Sequence, residues 1–423
     1  MFPVELWEQI LANVDAKSLM RLKTVSKTWK LIIARHLQTS DAWYWQCLNS
    51  IPKHYWYILL EDSVLFPLIY DPDYKENYYE TRKFESKIWM TIYKAWITWE
   101  DVEKLQVDTI KVLPAIPENR PQERITNIAV LGELVAVGSN DGFINVYNIE
   151  NDRLMHKFDQ VEEVTALKLT KTGEQFNKTI VLSSSLSRKN RMWIFKEKKP
   201  ITRASGTVIC SGYGYYCANT EVPHKFHLYN TKNQKQCNFS LMDARSGLGQ
   251  TAVMNIYRHF LCLWTEEGIY VEIDLRKIGP KSNEQVEPEF CKRIGTPEAS
   301  EYVRNYYLFN PRVILCVTEY GKLGISVNRS KWRLCNPFPL LGGVVTAVHY
   351  HVKVLIIGLD SGNVYLYPME NEKSLLTFSF RNSQFKKLQI TSEPIVSVNV
   401  TEVFGDQRLI VATKNSIVSV KFN

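Results

Sequence analysis

The chain has 423 residues, a formal net charge of +8 and 45% hydrophobic residues, which fits two or three globular domains and excludes a chain dominated by disorder. No apolar run approaches the ~20 residues that span a bilayer, and no basic stretch followed by an apolar core opens the sequence, so neither a membrane span nor a secretory leader is expected. Eight scattered cysteines form no CxxC pair, and Cys262 and Cys316 sit in apolar runs. They read as buried thiols of a reducing compartment, cytoplasmic, nuclear or both, and not as a disulfide framework. The weak positive charge suits a surface that meets acidic partners.

The spacing predicts three short helices over the first forty residues. Pro3 suits a first helical position, where its missing N–H costs nothing. Glu5 lies in the same first turn, favoured by the helix dipole. Leu6, Ile10 and Val14 recur every fourth residue and make one apolar face. Asp15 is placed to cap a second helix carrying Leu19 and Leu22, and Ser26 a third carrying Trp29, Ile32, Ile33 and Leu37. Helices this short are marginal alone, so the stretch must pack on the rest of the chain, on a partner, or on both.

Pro3-Val4-Glu5-Leu6, Ile10-Leu11, Leu19, Leu22 and Val25-Ser26-Lys27-x-Trp29 resemble an F-box. Phe2 stands where that family usually has Leu before the Pro. The resemblance implies docking on a Skp-type adaptor, and through it a cullin. Pro3, Leu6, Ile10, Leu11, Leu19, Leu22, Val25 and Trp29 are the residues it assigns to the adaptor side; some of them must instead hold the three helices together.

Two compositional facts divide the rest. All 19 glycines lie between Gly132 and Gly405, and eight of the 11 tryptophans lie at or before Trp99. Glycine supplies the turns that hairpins need and is avoided by helices, so an aromatic-packed helical front precedes a sheet-rich back. Asp41–Leu48 reads as a further short helix, and Pro52, Pro67 and Pro72 as breaks. Ile88, Trp89, Ile92, Tyr93, Trp96 and Trp99 recur at three and four, which predicts an amphipathic helix over 82–101. Its aromatic stripe reads as core packing that fixes the front on the back. The expected domains are 1–48, the F-box; 49–101, an aromatic helical linker; and 102–423, the sheet-rich back.

From Ile125 onward one pattern returns: strand, apolar strand, turn, strand ending in an aromatic, strand. It is clearest around Asp141-Gly142 and Ser361-Gly362, where Leu154–Phe158 and Leu375–Phe378 are expected as the fourth strands. Weaker copies start near Val164, Thr207, Ala252, Val303 and Ile395. A period of about 35 to 50 residues is that of four-stranded propeller blades, so 102–423 is expected to be a β-propeller of about seven blades. They resemble degenerate WD repeats, with Tyr147-Asn148 and Tyr229-Asn230 where Trp-Asp is usual. The last copy has three strands, which would leave a sheet edge open. Leu105–Leu113 is expected to pair beside Ile417–Phe422 and close the ring.

No phosphate-cradling loop, GxSxG elbow or HExxH motif is present. His224-x-x-His227 and His349-x-His351 lack neighbouring cysteines, so no metal, cofactor or catalytic residue is expected. Resemblance to phosphodegron readers points to residues two before the aromatic of each third strand. Arg191 matches; its equivalents are Asn145, His227, Tyr270, Gly324, Tyr365 and Val418. Arg304, early in a first strand, is a second candidate. The expected substrate face therefore comprises Arg191, Arg304, Tyr365, His227 and Tyr270, and is more neutral than a phosphate reader. Arg188, Lys189, Arg191, Lys196, Lys198 and Lys199 make one basic blade, which reads as a solvated loop and not as a nucleic-acid groove. The expected protein is a non-catalytic substrate-recognition subunit of a Skp-cullin-F-box ubiquitin ligase. The alternatives are a propeller scaffold outside any ligase, or a nucleic-acid-associated propeller.

Overall fold

The computed structural model describes residues 4–61, 86–116, 122–172, 178–195, 200, 202–212, 214–230, 235–242, 247–279, 284–297, 302–403 and 406–422. The front is helical: α1 Val4–Leu11, α2 Ala16–Leu22, α3 Lys27–Thr39, α4 Ala42–Ser50, α5 Lys53–Glu61 and α6 Ser86–Glu100. The caps are the ones the sequence signals. An Asp15 carboxylate oxygen accepts from the Ser18 amide at 2.9 Å, and Ser26 Oγ from the Trp29 amide at 3.2 Å, each satisfying an N–H left over at a helix start.

These helices share one core. Leu11, Leu19 and Ile33 meet Trp43, Tyr44, Trp56, Trp89, Tyr93 and Trp96 in it. Each buried ring removes on the order of 200 Å² from water, worth about 5 kcal/mol before entropy is subtracted. The aromatic stripe of α6 is therefore structural. Helix α5 occupies a stretch that the prolines suggested was broken; Pro52 stands just before its first turn, where proline is tolerated.

The back is seven sheets arranged as blades, their first four strands antiparallel. They cover residues 125–159, 164–205, 209–241, 251–293, 303–335, 345–389 and 397–422. In each, the second strand is a near-continuous buried run, such as Val354–Leu359, because it is covered on both faces by neighbouring blades. The seventh sheet takes its outer strand from before the first blade. Val107–Pro114 runs antiparallel to Ser416–Phe422, with Val107 opposite Phe422 and Pro114 opposite Ser416.

Two features differ from the sequence pattern. Leu375–Phe378 is not the sixth blade's outer strand. A 3₁₀ turn spans Glu372–Leu376, and Lys386–Gln389 pairs instead with Asn363–Pro368. Leu375 and Phe378, three apart, both enter the core between the fifth and sixth blades, which a strand of period two cannot do. The third blade also carries a fifth strand, Glu284–Val286, added in parallel to Gln236–Leu241.

Candidate functional site

Antiparallel order divides the propeller's loops between two ends. First-to-second and third-to-fourth strand connections lie at one end; second-to-third connections and the links between blades lie at the other. The helical layer is seated on the first end. Val352, in a first-to-second strand turn, joins the helical core. Lys353 Nζ lies 4.3 Å from the Trp96 ring centre and 3.4 Å from a Glu100 oxygen. The Tyr257 hydroxyl donates to the His54 carbonyl at 3.1 Å. Trp99 Nε1 donates to Glu402 Oε1, and His351 Nε2 lies 3.2 Å from the same oxygen.

Among the described residues, the opposite end carries no helical layer and bears exposed apolar side chains. Val161, Leu186, Val222 and Met242 project from the second to fourth blades, and Tyr302, Tyr320, Phe338 and Leu340 from the fifth and sixth. Singly exposed apolar residues are ordinary; here eight of them project from loops at the same end. Val161 is 72% exposed and has φ of 73°. A β-branched residue in the left-handed region is strained, and such strain gathers at functional sites.

The neighbouring loop is tied down by Glu162. Its carboxylate accepts from Lys189 Nζ at 2.6 Å and from Ser185 Oγ at 2.9 Å, and also from the Ser187 hydroxyl. Those bonds, Lys189 first, hold its pKa down to about 2. Leu186 is thus presented on an ordered turn. On the fifth blade the Glu319 amide donates to the Tyr302 carbonyl at 2.9 Å and the Val345 amide to the Gly321 carbonyl at 3.3 Å, which ties the loop bearing Tyr320 to Tyr302 on one side and to the start of the sixth blade on the other.

The residues expected on the substrate face separate here. Arg191 is half-buried; its Nη1 donates to the Gln160 carbonyl at 2.8 Å, so it holds a blade link in place. Arg304 is exposed at the open end of its blade's innermost strand. His227 is half-buried opposite Ala218. Tyr270 and Tyr365 do not face the open end. Tyr270 is buried against Trp264, Leu308 and Ile314 between the fourth and fifth blades, and its hydroxyl donates to Glu272 at 2.7 Å. Tyr365 is buried between the fifth and sixth blades and packs on Phe385. Their strand position points into the seam between blades, where a large ring is covered. In the basic blade, Lys189 and Arg191 are engaged as described; Lys196, Lys198 and Lys199 lie outside the described residues.

The adaptor-side residues sort by burial. Leu11 and Leu19 are in the helical core, and Leu22 and Trp29 pack against it. Trp29 meets Trp7 edge to face at 4.7 Å. Leu6, Ile10 and Val25 are exposed, with Val25 at 67%. Met20 and Leu31 join them, Leu31 at 73%; neither stands on the motif, and Leu31 follows Lys30 on the outer side of α3. Pro3 lies outside the described residues.

The architecture is that of a helical front seated on one end of a seven-bladed, WD-like β-propeller. Residues 1–38 match the F-box domain family, and the chain is accordingly an F-box domain joined to such a propeller. Many solved structures resemble it, two of them as follows. One is the β-propeller domain of Cps50 (Swd1) from Myceliophteria thermophila, 11% identical, covering 75% of this chain and 99% of that one with a TM-score of 0.49. The other is the computationally designed Ika8 protein, 12% identical, covering 71% and 97% with a TM-score of 0.44. No curated protein sequence matches the chain.

Proposed function

We propose that this chain is the substrate-recognition subunit of a Skp-cullin-F-box type ubiquitin ligase, active in the cytoplasm or nucleus. The observation that carries the reading is the F-box at residues 1–38 with five apolar side chains, Leu6, Ile10, Met20, Val25 and Leu31, left outside its core. An adaptor covers them. The propeller's open end, with Val161, Leu186, Tyr302, Tyr320 and Phe338, holds the protein substrate. Apolar and aromatic anchors at that end, and an Arg191 already committed to Gln160, favour an uncharged protein surface over a phosphorylated segment.

The chain performs no chemistry in this account. It raises the effective concentration of substrate lysines at a ubiquitin-charged enzyme held by the other subunits. The packing of α6 on the propeller sets the distance and angle between the two partners. The reading is tested by co-expressing the full chain with a Skp-type adaptor and a cullin and assaying ubiquitin transfer to co-purified proteins. Transfer lost in Leu186→Asp, with the adaptor still bound, supports both halves. Failure to bind the adaptor refutes the reading.

A further inference from the structure

The innermost strands of the blades enclose an axial channel of ≈ 440 Å³. Its chemistry is one-sided: among the described residues that line it there is no aspartate or glutamate, and Lys168 is the one permanently charged side chain. Strand register sets Lys168, Ser211, Asn255, Tyr307 and His349 opposite Leu182, Tyr216, Cys262, Leu315 and Ile356. Each of those partners lies three residues before the end of its strand. The polar residues of five consecutive blades therefore share one tier. Their strand neighbours, among them Leu167, Leu169, Met254 and Ile256, are buried between blades; alternation puts the tier on the other face of each inner strand, and all five of its residues line the channel.

Lys168 is solvated by the channel and has no carboxylate within ion-pair distance among the described residues. Burial, then His351, then Lys168 push the His349 imidazole down to a pKa of about 3, which leaves it uncharged at neutral pH. Asn255 spends one of its two amide hydrogens on the Phe309 carbonyl at 3.0 Å and keeps the other. Ser211 adds a hydroxyl, and Tyr307 a second that is shared with the Asn305 side chain. An ammonium that lines one channel with uncharged polar groups, with no carboxylate beside it among the described residues, is suited to receive an anion. Ile58 of α5 lines the channel from the end covered by the helical layer. Entry is from the open end, where Arg304 lies close enough to act on the Tyr307 phenol.

We propose that the axial channel is a binding site for a compact anionic group, a carboxylate or phosphate that enters from the open end and pairs with Lys168. Two sources supply that chemistry: the terminal carboxylate of a bound protein chain, or a free small anion. The proposal goes beyond adaptor docking and stands or falls apart from it, since Lys168 is remote from the F-box.

Isothermal titration of the full chain with four probes tests it: citrate, inorganic phosphate, acetyl-tetraglycine as the free acid, and the same peptide as the carboxamide. At least one anionic probe is expected to bind, and the carboxamide not to. Affinity is expected to fall at least tenfold in Lys168→Gln and to recover substantially in Lys168→Arg. Binding of the peptide acid alone assigns the site to a chain end; binding of citrate or phosphate alone assigns it to a free anion. No binding by any anionic probe, equal binding to Lys168→Gln, or equal binding of acid and carboxamide overturns the proposal.

Discussion

Trp99, at the end of the last front helix, donates its indole N–H at 2.5 Å to Glu402 of the seventh blade, and both side chains are buried. The same carboxylate oxygen lies 3.2 Å from His351, and the Trp99 ring packs edge-on against His351 and Phe422. This node fastens α6 to the propeller. Trp99→Phe keeps most of the ring packing but leaves a buried carboxylate short of a donor, at a cost of about 1–3 kcal/mol. Trp99→Ala adds a cavity and costs about 3–5 kcal/mol. Denaturant unfolding of the full chain measures both, and the order of the two losses is the check.

The channel histidine makes stability depend on acid. Unfolded, His349 takes up a proton as the pH drops below about 6.5; folded, it does so only near pH 3. Its contribution is therefore complete above pH 6.5 and is lost as the pH falls toward 3. His349→Gln is expected to flatten the fall in denaturant midpoint between about pH 6.5 and about pH 4.5. Identical slopes for the two proteins would contradict the burial of an uncharged imidazole there.

Val161 and Leu186 carry opposite expectations for stability and binding. Relief of the φ of 73° at Val161 by Val161→Gly is expected to leave stability unchanged or raise it by about 1 kcal/mol, while removing an exposed contact. Leu186→Asp is expected to keep the thermal midpoint within about 2 °C and to abolish capture of the propeller's protein partner. Comparison of the proteins recovered with wild type and with each variant, alongside thermal unfolding, checks both. A variant that loses fold and partner together would point to a core role instead.

The closing strand ties the front to the ring. Ile110 pairs with Val420 and Val112 with Val418. A chain beginning at residue 106 keeps these pairs and one beginning at residue 117 loses them. The shorter chain is expected to lose several kcal/mol, at about 0.5–1.5 kcal/mol per ladder hydrogen bond, and to aggregate through the exposed edge of Ser416–Phe422. Equal stability of the two would mean that closure contributes nothing.

Much of this was legible in the residues, for identifiable reasons. Asp15 and Ser26 mark helix starts because they can cap. Gly142 and Gly362 mark turns because the backbone there has positive φ. Second strands stand out as unbroken apolar runs. Outer strands do not: Lys386–Gln389 offers only Leu388 to a core, while Leu375 and Phe378 imitate a strand beside it. In the F-box, Ile10 and Leu11 are adjacent and equally apolar, yet one is exposed and the other buried, a distinction set by packing between helices. Tyr270 and Tyr365 occupy a strand position whose outlook depends on the neighbouring blade. The strain at Val161 is a backbone property that valine does not announce.

The most direct measurement is co-purification of the full chain with a Skp-type adaptor, run beside Val25→Glu and Leu31→Glu. Both side chains are exposed, so the variants are expected to fold with thermal midpoints within about 2 °C of wild type. A one-to-one complex is expected for the wild type and at least a tenfold weaker one for each variant. Absence of a complex with the wild type, or equal complexes with all three, would contradict the adaptor-docking reading.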